Sequence, residues 1–150
     1  MRRAEKAVTS PEAVTQIIRE CRVCRLGLCD KGKPYVVPVC FGYENGTVYV
    51  HSAREGMKID IIRRNPSVCV EFDVPGDLVT AGKACGYGMH YRSVVGFGTA
   101  RFVDDPTEKS AALSAIMRQY TGRDWEFGEP ERKSVVVIAV RLDQVTGKAG

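Results

Sequence analysis

Residues 47–66 read TVYVHSAREGMKIDIIRRNP. The first part alternates as a strand does, through Val48, Tyr49 and Val50, and closes on two polar residues, His51 and Ser52. A short loop with Gly56 follows. Residues 58–64 then carry Ile59, Ile61 and Ile62 at helical spacing and stop at Asn65-Pro66, because proline cannot continue a helix. Hydroxyl, imidazole and ammonium thus converge where a strand hands over to a helix. The free N–H groups of a helix's first turn favour an anion there, and a phosphate is the expected occupant. The plainer reading of the same spacing is a solvated lysine. Neither GxGxxG nor GxxxxGK[ST] occurs, so the dinucleotide-binding and P-loop routes have no support.

Working backwards from this stretch, Asn45-Gly46 is a hairpin turn. The strand before it, residues 35–43, contains Pro38. Proline cannot donate to a sheet ladder, which puts this strand at an edge, at a bulge or against a ligand-facing gap. Asp30-Lys31-Gly32-Lys33 is a second turn, joining a strand at residues 22–29. Ser10-Pro11-Glu12 reads as a helix start, and Val14, Ile17, Ile18 and Cys21 form the apolar stripe behind it.

Working forwards, residues 68–72 form a short apolar strand. Residues 73–90, with Gly76, Gly82, Gly86 and Gly88, read as a long loop that covers a site or moves. Residues 91–102 form the longest strand, where Gly96 and Gly98 mark a close approach or a curl. Asp104-Asp105-Pro106 starts a helix whose inner face is Ala112, Leu113, Ile116, Met117 and Tyr120. The segment with Trp125 reads as irregular. A final strand, residues 135–142, is almost wholly apolar and so central. The pattern predicts a single mainly β domain over 1–150, an antiparallel β-barrel or curled sheet with flanking helices, and flexible ends at 1–9 and 146–150.

The bulk properties narrow the partners. At 150 residues, 44% of them hydrophobic and 27% charged, the chain can bury one core and is not disordered. The net charge of +4 is dispersed, which argues against nucleic acid and suits a small anion. No apolar run approaches the ~20 residues of a membrane span. The first residues lack the apolar core of a signal peptide, so a cytoplasmic protein with reduced thiols is expected. Of the six cysteines, Cys21 and Cys24 form a CxxC pair without the second pair a zinc site needs, and no metal site is expected. A buried structural role is the reading for the pair. Cys85, in the glycine-bearing loop, is the most reactive candidate.

Together, YVVPVCFGYENGTVYVHSAREGMKIDIIRRNP, YRSVVGFGTARFVDDPTEK and GRDWEF resemble the FMN-binding split-barrel family related to pyridoxamine 5'-phosphate oxidase, and within it the 5-nitroimidazole-resistance, nitroreductase-like branch. The resemblance covers about residues 20 to 147. It implies a homodimer with FMN at the interface and a small-molecule substrate. It implies that Val36, Val37, Pro38, Val39 and Cys40 lie along the flavin ring, that Val50, His51, Ser52 and Lys58 surround the ribityl chain and phosphate, and that Arg92 and Ser93 lie near the phosphate or pyrimidine side. His51 is the candidate proton donor, or else a cofactor contact. This chain has Met57 and Tyr35 where the oxidases place arginines, and no counterpart of their carboxy-terminal substrate arginine. The implied activity is therefore reduction of a small nitro-aromatic or quinone-like acceptor. A non-catalytic flavin-binding or sensor module, or a haem-binding split barrel, are the alternatives.

Overall fold

The computed structural model describes residues 3–150. In chain order the elements are β1 (Ala7–Val8), α1 (Pro11–Glu20), β2 (Cys24–Asp30), β3 (Lys33–Val39), β4 (Gly42–Glu44), β5 (Thr47–Ser52), α2 (Met57–Arg64), β6 (Ser67–Val79), β7 (Gly88–Phe102), α3 (Pro106–Thr121), α4 (Glu129–Ser134) and β8 (Val136–Ala149). The strands form one antiparallel sheet in the order β3-β2-β6-β7-β8-β5-β4, with β1 pairing β8 off that path. β3 and β4 stand at opposite ends of this order, yet only Cys40 and Phe41 join them. Two residues reach about 10 Å at most, so the sheet must curl until its ends meet. No ladder closes between β3 and the β4–β5 hairpin, and the barrel is split along that line.

The inner face of the curled sheet supplies the core. Leu26, Val48, Val50, Val70, Phe72, Val94, Ile138 and Val140 are all fully buried, and Ile18 of α1 and Ile59 of α2 plug into them. β8 explains the continuous apolar run at 136–140. Its Ile138 and Val140 face the barrel interior, while Val137 and Ala139 face Ala112, Leu113 and Ile116 of α3. A strand covered on both faces needs no polar alternation. The helix starts are as read: the Ser10 and Asp105 side chains accept from the N–H groups of Ala13 and Glu108, at 3.3 and 2.7 Å.

Several expectations are corrected. The stretch 146–150, read as frayed, continues β8 as far as Ala149, paired with Arg92 to Val95 of β7, and Gly150 exchanges backbone hydrogen bonds with Tyr91. Val8 and Ala7, also read as flexible, add a short strand at Gly147 and Lys148. Met1 and Arg2 lie outside the described residues. Residues 73–90 are not a free loop. β6 and β7 pair on to Val79 and Gly88 past a register shift at Gly76–Asp77, so the segment is a projecting hairpin arm. The stretch 35–43 breaks at Cys40–Phe41 into two strands, and the segment after Trp125 contains α4. Gly98 meets its expectation of close approach. A Cβ there would lie 1.9 Å from the Arg141 carbonyl oxygen, where the β7–β8 register shifts.

Candidate functional site

The split between β3 and β5 is where the chain leaves backbone groups unused. β2 and β3 join through a two-residue turn at Lys31-Gly32, so Asp30 and Lys33 form a hydrogen-bonded pair and the pattern alternates from there. Pro34, Val36 and Pro38 therefore fall at the positions that turn their backbone away from β2, onto the open edge. Two of these three have no N–H, which leaves Val36 as the edge's donor along the paired part of β3. The prolines cost the ladder nothing, and they blunt the edge against another strand. Pro38 thus occupies the edge position allowed by its chemistry, and Val36 is 62% exposed beside it.

β5 borders the split from the other side. Its ladder with β8 uses alternate residues, in step with the bond from the Leu142 N–H to the Gly46 carbonyl. Val50 and Ser52 face β8 by this alternation, and the N–H and C=O of His51 face away. β4 ends its pairing at Tyr49, so this part of β5 has no strand on that side. His51 has an exposed side chain at this open edge.

Just beyond β5 the chain turns through Gly56, whose φ of 127° an L side chain rarely adopts. Gly56 is the N-cap of α2 and offers no side chain to the first-turn N–H groups. Lys58 sits in that first turn, half-buried. Burial pulls its ammonium below the ordinary lysine value, and no carboxylate opposes the effect. A partly desolvated ammonium in a first turn whose N–H groups lack a side-chain cap is chemistry that suits an anion. The residues present thus fit a phosphate at the end of β5 and a planar hydrogen-bonding edge along β3.

Arg92 and Ser93 are not brought to this corner within one chain. Phe102 of β7 pairs with Ile138, which in turn pairs with Val50, whereas Arg92 lies ten residues back along β7. At ~3.3 Å per residue that is roughly 30 Å along the strand. There the Arg92 guanidinium bonds both carboxylate oxygens of Glu20. His90, expected in a mobile loop, is on β7 with Nδ1 3.3 Å from the Gly150 carbonyl oxygen. Trp125 is anchored by its backbone N–H to Ser114 and by its indole N–H to Thr121, with Arg123 stacked 4.8 Å from the ring centroid.

The CxxC pair is buried, as a structural role requires. Burial pushes the Cys21 and Cys24 thiols up to about 11 and about 12, and Cys21 donates to the Ile17 carbonyl. Cys85 is exposed at the arm tip. Among the described residues no cluster of His, Cys, Asp or Glu is placed to hold a metal, and no helix is long and apolar enough to cross a membrane.

Helical spacing puts Tyr120 on the buried face of α3 and gives no signal at Gln119. In the structure both reach across to the chain around β2 and β3. Gln119 donates to the carbonyls of Ile18, Arg19 and Cys21, and Tyr120 bonds Phe41 and Arg22. Helical spacing cannot announce a polar contact across about a hundred residues.

Comparison with known proteins agrees with this architecture. The profile of the family described as pyridoxamine 5'-phosphate oxidase matches residues 10–149. A solved structure from Bacteroides thetaiotaomicron, named for 5-nitroimidazole antibiotic resistance, is 39% identical over 95% of this chain and 86% of its own, with a TM-score of 0.85. A FAD-binding protein of Mesorhizobium loti is 27% identical over 95% and 96%, with a TM-score of 0.71. A FAD- and haem-binding protein of Mycobacterium smegmatis has the same fold, TM-score 0.86, at 19% identity over 97% and 73%. No curated protein matches the chain. The unclosed line between the ends of the curled sheet and a profile match over nearly the whole length lead to one conclusion: the chain is a split-barrel protein that belongs to the pyridoxamine 5'-phosphate oxidase family.

Proposed function

We propose that this protein binds FMN along the split and works in the cytoplasm as a flavin-dependent oxidoreductase on a small nitro-aromatic or quinone-like acceptor. The observation that carries the reading is Lys58: a half-buried ammonium without a carboxylate partner, in an uncapped first turn, at the end of the strand that borders the split. It holds the phosphate. The Val36 N–H and the outward carbonyls of Pro34, Val36 and Pro38 meet the hydrogen-bonding edge of the ring. Val37 and Val39 complete that strand and Cys40 follows it, and Ser52 lies on the ribityl side; Val50, expected beside it, is fully buried with its backbone turned to β8 and only backs that wall.

When bound, the flavin supplies the two-electron chemistry, drawn from a reduced nicotinamide. The protein's part is position and protons. His51 stands exposed at the open edge, and an imidazole there delivers a proton to the acceptor as it is reduced. The relative named for nitroimidazole resistance supports the nitro-aromatic class.

The active form in this reading is a homodimer. Arg92 and Ser93 are too far from Lys58 to serve the same flavin within one chain, so a second copy brings them. The outer sheet face supports such pairing. Val36 and the 52%-exposed Phe97 line two adjoining hollows that share Gly27 and Cys69, apolar knobs beside hollows of the kind a self-complementary two-fold contact uses.

The test is a titration of FMN into apoprotein, wild type against Lys58→Ala, followed by flavin fluorescence. Saturable quenching at one FMN per chain, weakened about tenfold in the variant (~1.4 kcal/mol), supports the reading. Absence of binding by both proteins, or a Soret band with added haem instead, removes it.

A further inference from the structure

We infer that Tyr120, on a helix outside the barrel, is a positioning residue that holds the end of the cofactor strand, Cys40–Phe41, in register with the flavin; this rests on the flavin reading above. The geometry is a staple. The Tyr120 hydroxyl accepts from the Phe41 N–H at 2.9 Å and donates to the Arg22 carbonyl at 2.7 Å. One hydroxyl thereby joins α3, the segment entering β2 and the two-residue link leaving β3. The neighbouring Gln119 amide fixes the same entry segment through three carbonyls, those of Ile18, Arg19 and Cys21, at 3.3, 3.0 and 2.9 Å.

The link needs such an anchor. At Cys40 and Phe41 the chain leaves the β2 ladder, whose last pair is Cys24 with Val39, and it has not yet joined the β5 ladder, whose first pair is Gly42 with Tyr49. Both sheet partners are absent there. The Phe41 ring is locked in the core against Phe72 at 5.1 Å, but its N–H has no strand to bond. Tyr120 is the partner that satisfies it. α3 packs backbone against backbone at the end of the link, where a Cβ at Gly42 would lie 2.4 Å from the Ile116 backbone nitrogen.

The consequence reaches the cofactor line. Cys40 is exposed at the end of the strand whose outward groups face the split, and its position depends on Phe41 being held. Loss of the hydroxyl frees the Phe41 N–H and lets the last residues of β3 swing relative to β5. The width of the split then varies, which loosens the ring side of the site and leaves the Lys58 corner intact. A substitution some eighty residues away in the chain is thus expected to alter flavin binding and flavin spectrum without touching the cofactor.

The experiment uses Tyr120→Phe, which keeps the ring and removes the hydroxyl, with three readouts. In apoprotein, amide hydrogen exchange at Phe41 is expected to speed up at least tenfold while that of Val50 is unchanged. On FMN titration, the variant is expected to bind about tenfold more weakly, with a shifted visible spectrum of the bound flavin. In the wild type, FMN is expected to perturb the amide resonances of Cys40 and Phe41. Faster exchange with unchanged flavin affinity and spectrum makes Tyr120 purely structural and overturns the inference. Unchanged exchange overturns the staple itself. Should the variant not fold, wild-type Cys40 and Phe41 amides that do not respond to saturating FMN overturn it equally. If the wild type binds no FMN, the flavin reading falls and takes the positioning role with it, while the exchange data still report the staple separately.

Discussion

The guanidinium of Arg92 grips both carboxylate oxygens of Glu20, Nη1 to Oε1 at 3.0 Å and Nη2 to Oε2 at 2.5 Å, and so ties the root of the hairpin arm to the last turn of α1. Hydrogen bonding from Arg92 holds the Glu20 carboxyl below its ordinary value of 4.5. A depressed folded-state value means that the pair stabilises the fold above the unfolded value, and that this contribution is lost as the pH falls through the folded one. The pair is exposed, so the effect is small. Glu20→Gln is expected to lower the urea midpoint slightly at neutral pH and to match wild type in acid. A gap that persists below the titration range would contradict this assignment.

The separation of Arg92 from Lys58 makes a sharper prediction about assembly. Arg92→Ala and Lys58→Ala are each expected to bind FMN poorly. If a site draws Lys58 from one copy and Arg92 from the other, half of randomly mixed dimers are hybrids, each with one intact site. Roughly a quarter of the sites then recover. Co-expression with two affinity tags, followed by flavin content, measures it. No recovery in isolated hybrids places both residues on one chain's site, or Arg92 on none.

β3 offers a test of the edge donor. Val36→Pro removes an N–H that faces the split and leaves the β2 ladder whole, so the protein is expected to fold and to bind FMN at least fivefold more weakly (~1 kcal/mol). Val37→Pro is the control, since position 37 bonds into the ladder with Leu26 and proline there is expected to destabilise the whole protein. Equal flavin affinity in wild type and Val36→Pro would remove the edge from the binding site.

Lys58 predicts the pH dependence of binding. Burial lowers its pKa from 10.5, and a bound phosphate raises it again because the anion favours the cation. FMN affinity is therefore expected to hold steady at neutral pH and to decline in alkali, beginning before pH 10.5, as the free protein's Lys58 loses its proton. Lys58→Ala is expected to lack that decline. Isothermal titration across the alkaline range reads both curves, and parallel curves would discharge Lys58 from the phosphate.

His51 is separable from cofactor binding. His51→Asn is expected to cut turnover of a nitro-aromatic about a hundredfold, in the range of lost general acid catalysis, while FMN content stays near wild type. Weaker FMN binding with unchanged turnover per bound flavin would make His51 a cofactor contact only.

Much of this protein was written locally. The handover from strand to helix at residues 47–66, the Asn45-Gly46 and Lys31-Gly32 turns, the caps at Ser10 and Asp105, and the two-faced burial of β8 are all consequences of neighbours in the chain. The strand-to-helix corner around Lys58 belongs to the same class, because a polar strand end and a helix start five residues later share one corner whatever the rest of the fold does. Local signals misled where glycines and polar residues coincide with paired strand. The arm at 73–90 and the tail at 146–150 carry few apolar residues to mark a ladder, and their pairing is supplied by partners elsewhere in the chain, as far off as Ala7 for Lys148. Tertiary structure alone decided that β3 and β5 face each other across an unclosed ladder, that Val36 is the donor on that edge, that Arg92 lies far from Lys58, and that Tyr120 completes the Phe41 backbone. Each of these is a relation between residues brought together only when the sheet curls. Curling is set by the sum of core packing and strand twist, and no single stretch of sequence contains it.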